Sequence, residues 1–295
     1  MRSIPDVCEV ALVRGAQAGP EPGLLLEVPH GATRAADFDR LRAELRGDYP
    51  AELREFFFVN TDVGAPEVAR RVAERVVAAD PRRTALVIRC LLPRTFVDCN
   101  RVIDASTEPQ TSAPGQLTAG LHAWVRDAHD RRLLLARYAA YRALVEEACA
   151  RVCGGGGRAV MVHSYAPRSI DVPVDEHIVA SLRAAYAPGR LEQWPLRAPV
   201  DLIVDSPEGE RLAEEELVAR LRVGFGSAGF ETVLNGAYSL HPATLAALLA
   251  RRHRGRTLCL EFRRDLLVPE FRPFVELHPD PERVDRAAAP LAAAL

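Results

Sequence analysis

The chain has 295 residues, 48% of them hydrophobic, with 38 basic residues against 40 acidic ones and a formal net charge of -2. That length supports a sizeable buried core, read here as one domain over residues 1–295, and the balanced charge, with no basic run interleaved with aromatics, excludes a nucleic-acid partner. No lysine occurs, which rules out Schiff-base catalysis, a P-loop lysine and a Ser–Lys nucleophile, because guanidinium cannot replace a titratable ammonium.

In chain order, residues 8–13 and 24–29 read as strands joined by a Gly/Pro-rich turn at 15–23, an opening hairpin that ends at His30. Helical spacing follows over 35–46 and 66–79, with Asn60, Thr61 and Asp62 just before the second helix. Residues 84–91 and 95–97 have the apolar, β-branched character of buried strands. The Ser/Thr/Pro/Gly-rich stretch 106–120 reads as an exposed excursion, and a lid-like loop is expected at 104–120. Helical periodicity over 122–152 stops at the glycines of 154–157, and a strand over 158–162 leads to His163. Strands at 200–204, 231–234 and 257–262 alternate with helices at 208–226 and 242–252, and the Ala-rich 285–295 reads as a closing helix. This alternation predicts an α/β fold: a three-layer sandwich with a mixed, mostly parallel central sheet and helices on both faces.

The six cysteines lie mostly in apolar runs and read as reduced core thiols. Cys149 and Cys153 are one helical turn apart but lack a second ligand pair, which argues against a zinc knuckle. No charge-free apolar segment is long enough to span a membrane and the first residues lack a signal-like apolar stretch, so a cytoplasmic protein without a membrane partner is expected.

Parallel sheets collect chemistry where their strands end, and four apolar runs here end in reactive side chains. His30 and His163 leave two different strands and form the minimum scaffold for a zinc with an open position. Thr33 cannot supply the third ligand; Asp62 is the candidate carboxylate, its competing role being a helix N-cap. Glu261, in an apolar strand, is a general-base candidate because burial raises a carboxyl pKa, the alternative being an ion pair with Arg263 or Arg264. Arg94, Asn100 and Arg101 form a cluster suited to a carboxylate or an oxyanion, with Asp98 orienting one of the arginines. The remaining histidines, among them His122, read as bystanders, with His241 within reach of the cleft.

Pro-His-Gly-Ala-Thr (29–33), Asn-Thr-Asp (60–62), Pro-Arg-Thr-Phe-Val-Asp-Cys-Asn-Arg (93–101), His-Ser-Tyr (163–165), Leu-Asn-Gly (234–236) and Leu-Glu-Phe-Arg-Arg (260–264) together resemble the N-formylglutamate amidohydrolase family, in its order and over residues 24–267. The Asn-Arg, His-Ser-Tyr and Glu-x-Arg elements are also similar to those of zinc carboxypeptidases, which share the phosphorylase/hydrolase-like α/β fold. The resemblance implies His30 and His163 as metal ligands, Glu261 as base, and a substrate carboxylate gripped by Asn100 and Arg101. One Zn2+ per chain is expected, with Asp62 as its third ligand, Arg94 or Arg101 at the oxyanion, and Tyr165 and Arg263 among the substrate-binding residues. The chain departs from the family at Asn60, at Ala-Tyr-Arg (140–142) and at Ala-Tyr-Ser-Leu-His-Pro (237–242), segments expected to shape recognition.

The activity expected on that basis is zinc-dependent hydrolysis of a small N-acyl or N-formyl amino acid, or a related carboxylate-bearing amide. Two other readings are a carboxypeptidase-like peptidase acting on a peptide or biosynthetic precursor, and a catalytically silent carboxylate-binding homologue.

Overall fold

The computed structural model describes residues 1–295. Seven strands form one sheet: β1 (Cys8–Arg14), β2 (Leu24–Val28), β3 (Thr84–Cys90), β4 (Arg158–Tyr165), β5 (Val200–Ile203), β6 (Thr232–Leu234) and β7 (Thr257–Arg263). Their order across the sheet is β1-β3-β2-β4-β7-β5-β6. β3, β2, β4 and β7 run parallel, β1 pairs antiparallel with β3, and β5 pairs antiparallel with β7 and parallel with β6. The sheet is therefore mixed and mostly parallel, as the alternation of elements predicts.

Eight helices cover it: α1 (Ala35–Glu44), α2 (Leu53–Asn60), α3 (Ala65–Ala79), α4 (Ala128–Gly154), α5 (Ile178–Ala185), α6 (Glu215–Ser227), α7 (Leu245–Arg252) and α8 (Pro281–Ala294). Apolar side chains of α1, α2, α4, α5 and α7 pack with Leu25, Leu86 and Ile88 on one face. Those of α3, α6 and α8 pack with Leu24, Leu26, Val160 and Leu260 on the other. This division follows from strand alternation, which sends successive side chains of a buried strand to opposite faces.

The expected opening hairpin does not form. β2 is buried along its whole length and needs a neighbour on each side, so it lies between β3 and β4; β1, whose burial alternates, takes the edge beside β3. Residues 95–97 are not a strand: Phe96 and Val97 donate backbone hydrogen bonds to the Pro93 carbonyl in a turn. The long helix starts at Ala128 rather than 122, where the Asp127 carboxylate accepts from the amides of His129 and Asp130 and caps it. The helix expected from 208 starts at Glu215, because Gly209 adopts φ 84° in a turn closed by the Asp205–Arg211 bridge. The two short helices α2 and α5 are additions to the sequence expectation.

All six cysteines are buried and free, and Cys149 and Cys153 face each other at 3.8 Å. Gly157 is obligatory where α4 returns to the sheet, since a Cβ there would lie 2.4 Å from the Gly23 carbonyl oxygen.

Candidate active site

The C-terminal ends of the parallel strands open on one edge of the sheet, and the sequence candidates gather there. His30 follows β2 after Pro29. Gly31 beside it has no room for a side chain, as a Cβ would fall 2.6 Å from Arg89 Cγ and 2.9 Å from the Cys90 carbonyl oxygen. His163 on β4 and Glu261 on β7 are register partners on adjacent parallel strands. Asp62 follows α2 in a loop tethered by the Thr61 hydroxyl, which donates to the Ala32 carbonyl. It does not cap α3, whose N-cap is Gly64 with no side-chain hydrogen bond, so its carboxylate is free to face the histidines.

His30, Asp62 and His163 are all buried, and their donor atoms lie within 4.8 Å of one another. Asp62 Oδ2 is 3.2 Å from His30 Nδ1 and 3.0 Å from His163 Nδ1. The far nitrogen of His30, Nε2, is 2.8 Å from Asp98 Oδ1. An imidazole that donates to both carboxylates carries a proton on each nitrogen. A divalent cation between Nδ1 and Asp62 would take the place of the Nδ1 proton, leaving Nε2–H to donate to Asp98. Two imidazole nitrogens and a carboxylate oxygen, with a carboxylate behind one imidazole, are the donor set and outer support of an open catalytic metal site. The residues fit the group.

The electrostatics have the same centre. Burial works to raise the Asp98 pKa, but Arg101, Arg94 and His30 hold it well below the ordinary carboxylate range. Burial likewise opposes ionisation of Asp62, yet His30 and His163 keep its pKa lowered. Burial and Arg94 push the His30 pKa down, and the Asp98 and Asp62 carboxylates outweigh them, leaving it raised. At Glu261 burial dominates: although His163 pulls the other way, the carboxyl is pushed up to about 7. Glu261 Oε2 is buried without a hydrogen-bond partner. The alternative ion pair is not formed, because Arg263 pairs with Asp265 while Arg264 donates to the Ser164 and Val59 carbonyls and approaches Asp62 Oδ1 at 3.5 Å.

Asp98 does orient the arginine cluster, with Arg94 Nε at 3.0 Å and Arg101 at 3.5 Å from its Oδ2. Thr118, in the 104–120 excursion, holds both cations: its hydroxyl accepts from Arg101 at 2.8 Å and Arg94 at 3.2 Å, and its carbonyl accepts from Arg101 Nε at 2.8 Å. The excursion is pinned further in by the Ser112–Val174 bridge. Asn100 turns its Oδ1 to the Ala246 amide at the start of α7.

Two cavities flank the triad and share Arg94, Tyr238 and Glu261. The first, about 230 Å³, is lined by His30, His163, Asn100, Arg101 and the 237–241 loop, including His241. The second, about 180 Å³, lies toward α2 and α5 and is lined by Asp62, Tyr165, His122 and Asn60 among others. Tyr165 contributes its ring, since its hydroxyl is committed to the Ala198 carbonyl at 2.6 Å. Arg263 lines neither cavity: it is bound to Asp265 and the Arg197 carbonyl and faces an outer cleft. Of the three departures expected to shape recognition, Asn60 and 237–242 reach a cavity. Residues 140–142 lie within α4, where Tyr141 donates to buried Glu27 and Arg142 pairs with Glu146.

The model of the N-formylglutamate amidohydrolase family matches residues 23–268. The chain belongs to that family. Its fold is that of N-formylglutamate amidohydrolase from Ralstonia eutropha JMP134, to which it is 17% identical over 97% of this chain and 95% of that one, with a TM-score of 0.58. A gene product of Agrobacterium tumefaciens is also 17% identical, over 96% of this chain and 92% of that one, with a TM-score of 0.53. No curated protein matches the chain. No helix is long and apolar enough to cross a membrane.

Within this family fold, sequence reasoning missed three contributors: the contact of Asp98 with His30, the Thr118 tether and His122. Asp98 had a local signal, its position two residues before Asn100 in a run that turns at a sheet edge. His122 had only the i, i+2 spacing with Trp124, which is extended rather than helical.

Proposed function

We propose that this amidohydrolase-family chain uses a zinc ion held by His30, Asp62 and His163 to cleave a small N-acyl amino acid, or a related carboxylate-bearing amide. The observation that carries the reading is the convergence of both Nδ1 atoms on Asp62 Oδ2 beside a buried, unpartnered Glu261 carboxyl. A bound zinc would supply Lewis acidity to the attacking water and the scissile carbonyl. Glu261, a buried carboxyl with an oxygen left unpartnered, takes the water proton and passes it to the departing amine nitrogen. Arg94, on both cavities, faces the developing oxyanion. The Asn100 amide and the remaining Arg101 N–H groups hold the substrate carboxylate in the first cavity. Cavities of about 230 and 180 Å³ favour a small amide over an extended peptide.

Elemental analysis of protein purified without chelator, beside His30→Ala and His163→Ala, tests the site. One zinc per chain, lost in both variants, together with zinc-dependent release of amine from N-acyl amino acids, is the expected result. Protein that takes up no divalent metal would overturn the proposal.

A further inference from the structure

The second cavity contains an unmet polar group that the mechanism does not use. His122 is 1% exposed, and neither of its ring nitrogens has a hydrogen-bond partner. It stacks on Trp124 at 4.5 Å and meets the Phe56 ring edge-on at 6.1 Å. Burial lowers its pKa to about 4, outweighing the Asp98 carboxylate, which pulls the other way. At neutral pH the ring is therefore uncharged, with one donor and one acceptor. Leaving such a group unmatched in a buried site is destabilising, and a bound molecule can supply the partner.

The lining is mixed: Asn60, Asp62, Arg94, Thr118 and Glu261 supply polar groups, and α2 and α5 supply apolar ones. Phe56 and Val59 of α2, Ile178 and Leu182 of α5, and Ile170 and Val174 between β4 and α5 line the cavity. Its cations are largely engaged: Arg264 on the Ser164 and Val59 carbonyls, and Arg168 on the Trp194 carbonyl. Arg197 lies against the Tyr165 and Tyr238 rings, bonded to the Tyr238 hydroxyl, with its Nε unmet. A formyl group displaces about one water, ~30 Å³ at liquid density, and would leave most of the 180 Å³ unfilled.

Because the two cavities share only Arg94, Tyr238 and Glu261, an amide at those residues directs one substituent into each. Building on the amidohydrolase reading, we infer that the second cavity is an acyl pocket. It takes a branched aliphatic or aromatic acyl group bearing a hydroxyl or keto oxygen that hydrogen-bonds His122, in preference to formyl.

The test uses N-formyl, N-isovaleryl, N-(2-hydroxyisovaleryl) and N-succinyl derivatives of leucine and glutamate. Turnover is measured with zinc-loaded enzyme, and binding through Trp124 fluorescence in Trp194→Phe protein without metal. Expected is a kcat/KM for the hydroxyisovaleryl compounds about tenfold or more above formyl, the scale on which an apolar pocket discriminates, and a Trp124 response to the branched compounds alone. Formyl or succinyl compounds turned over best, with Trp124 silent, would overturn the pocket and leave the hydrolase reading standing. Branched compounds that perturb Trp124 but are never cleaved would support the pocket and sink the hydrolase reading. His122→Phe, which keeps an aromatic ring against Trp124, should abolish the advantage of hydroxyisovaleryl over isovaleryl; an undiminished advantage would overturn the His122 contact. If that variant does not fold, the same comparison in the parent enzyme decides, equal rates for the two acyl groups overturning the contact.

Discussion

His163 and Glu261 stand side by side on adjacent parallel strands, one imidazole nitrogen turned to Asp62 and one Glu261 oxygen left without a partner. On the proposed mechanism the pair separates metal binding from proton transfer. Glu261→Gln should keep its zinc while kcat falls by roughly 10²–10⁴. Metal content and turnover, measured on the same preparation, check this; full activity would assign the base elsewhere.

Protonation of Glu261 sets a second expectation. A base works ionised, so kcat/KM falls as pH drops through its pKa, and a nearby cation lowers that pKa below the value of about 7 in the metal-free chain. The acidic limb of the loaded enzyme should therefore lie below pH 7. In the metal-free protein the folded-state pKa is raised, so the stability associated with this group is present below the unfolded carboxyl range and is lost as pH rises through about 7. The Tm advantage of metal-free Glu261→Gln over the parent should accordingly grow from about pH 5 to about pH 8. A pH-independent difference contradicts the assignment.

Asp98 accepts from His30 Nε2 and from Arg94, and its removal should be felt at the metal. Asp98→Asn is expected to weaken zinc affinity by about 10–100-fold, read by competition with a chromogenic chelator. Unchanged affinity would reduce Asp98 to an arginine partner.

Behind the site, Tyr141 donates to Glu27, a fully buried carboxyl whose pKa burial raises. Tyr141→Phe leaves that carboxyl without its donor and should cost about 1–3 kcal/mol in urea unfolding. The double variant Tyr141→Phe/Glu27→Leu should lose less than the sum of the single changes, because the orphaned group is gone. Strict additivity would mean that the two side chains do not interact.

The ends of apolar runs were the readable part of the site. His30, His163 and Glu261 each close a hydrophobic strand, and a polar residue there has few roles other than facing a ligand, so local pattern sufficed. What depended on distant pairing was not readable. The partner of β1 is settled by β2 needing two neighbours, which turn composition at 15–23 does not encode. Arg263 and Arg264 show the same limit at finer grain. Alternation from Glu261 favours Arg263, but β7 ends there and a 3-10 turn over Arg264–Leu266 rotates Arg264 inward to Asp62. His122 was hidden by helical periodicity that persists into a segment where the helix is absent; the Asp127 cap, not the hydrophobic pattern, marks the start.

Asp98 is shared property: one oxygen faces His30 and the other faces Arg94 and Arg101. A cation arriving at His30 draws on the same carboxylate that restrains both guanidinium groups, and an anion arriving at those groups loosens their hold on it. On the proposed mechanism the two ligands are thereby thermodynamically linked, and linkage is reciprocal: whatever factor zinc applies to carboxylate affinity, the carboxylate must apply to zinc. A substrate would then help retain the ion that cleaves it, and the ion would be lost most readily from the resting enzyme.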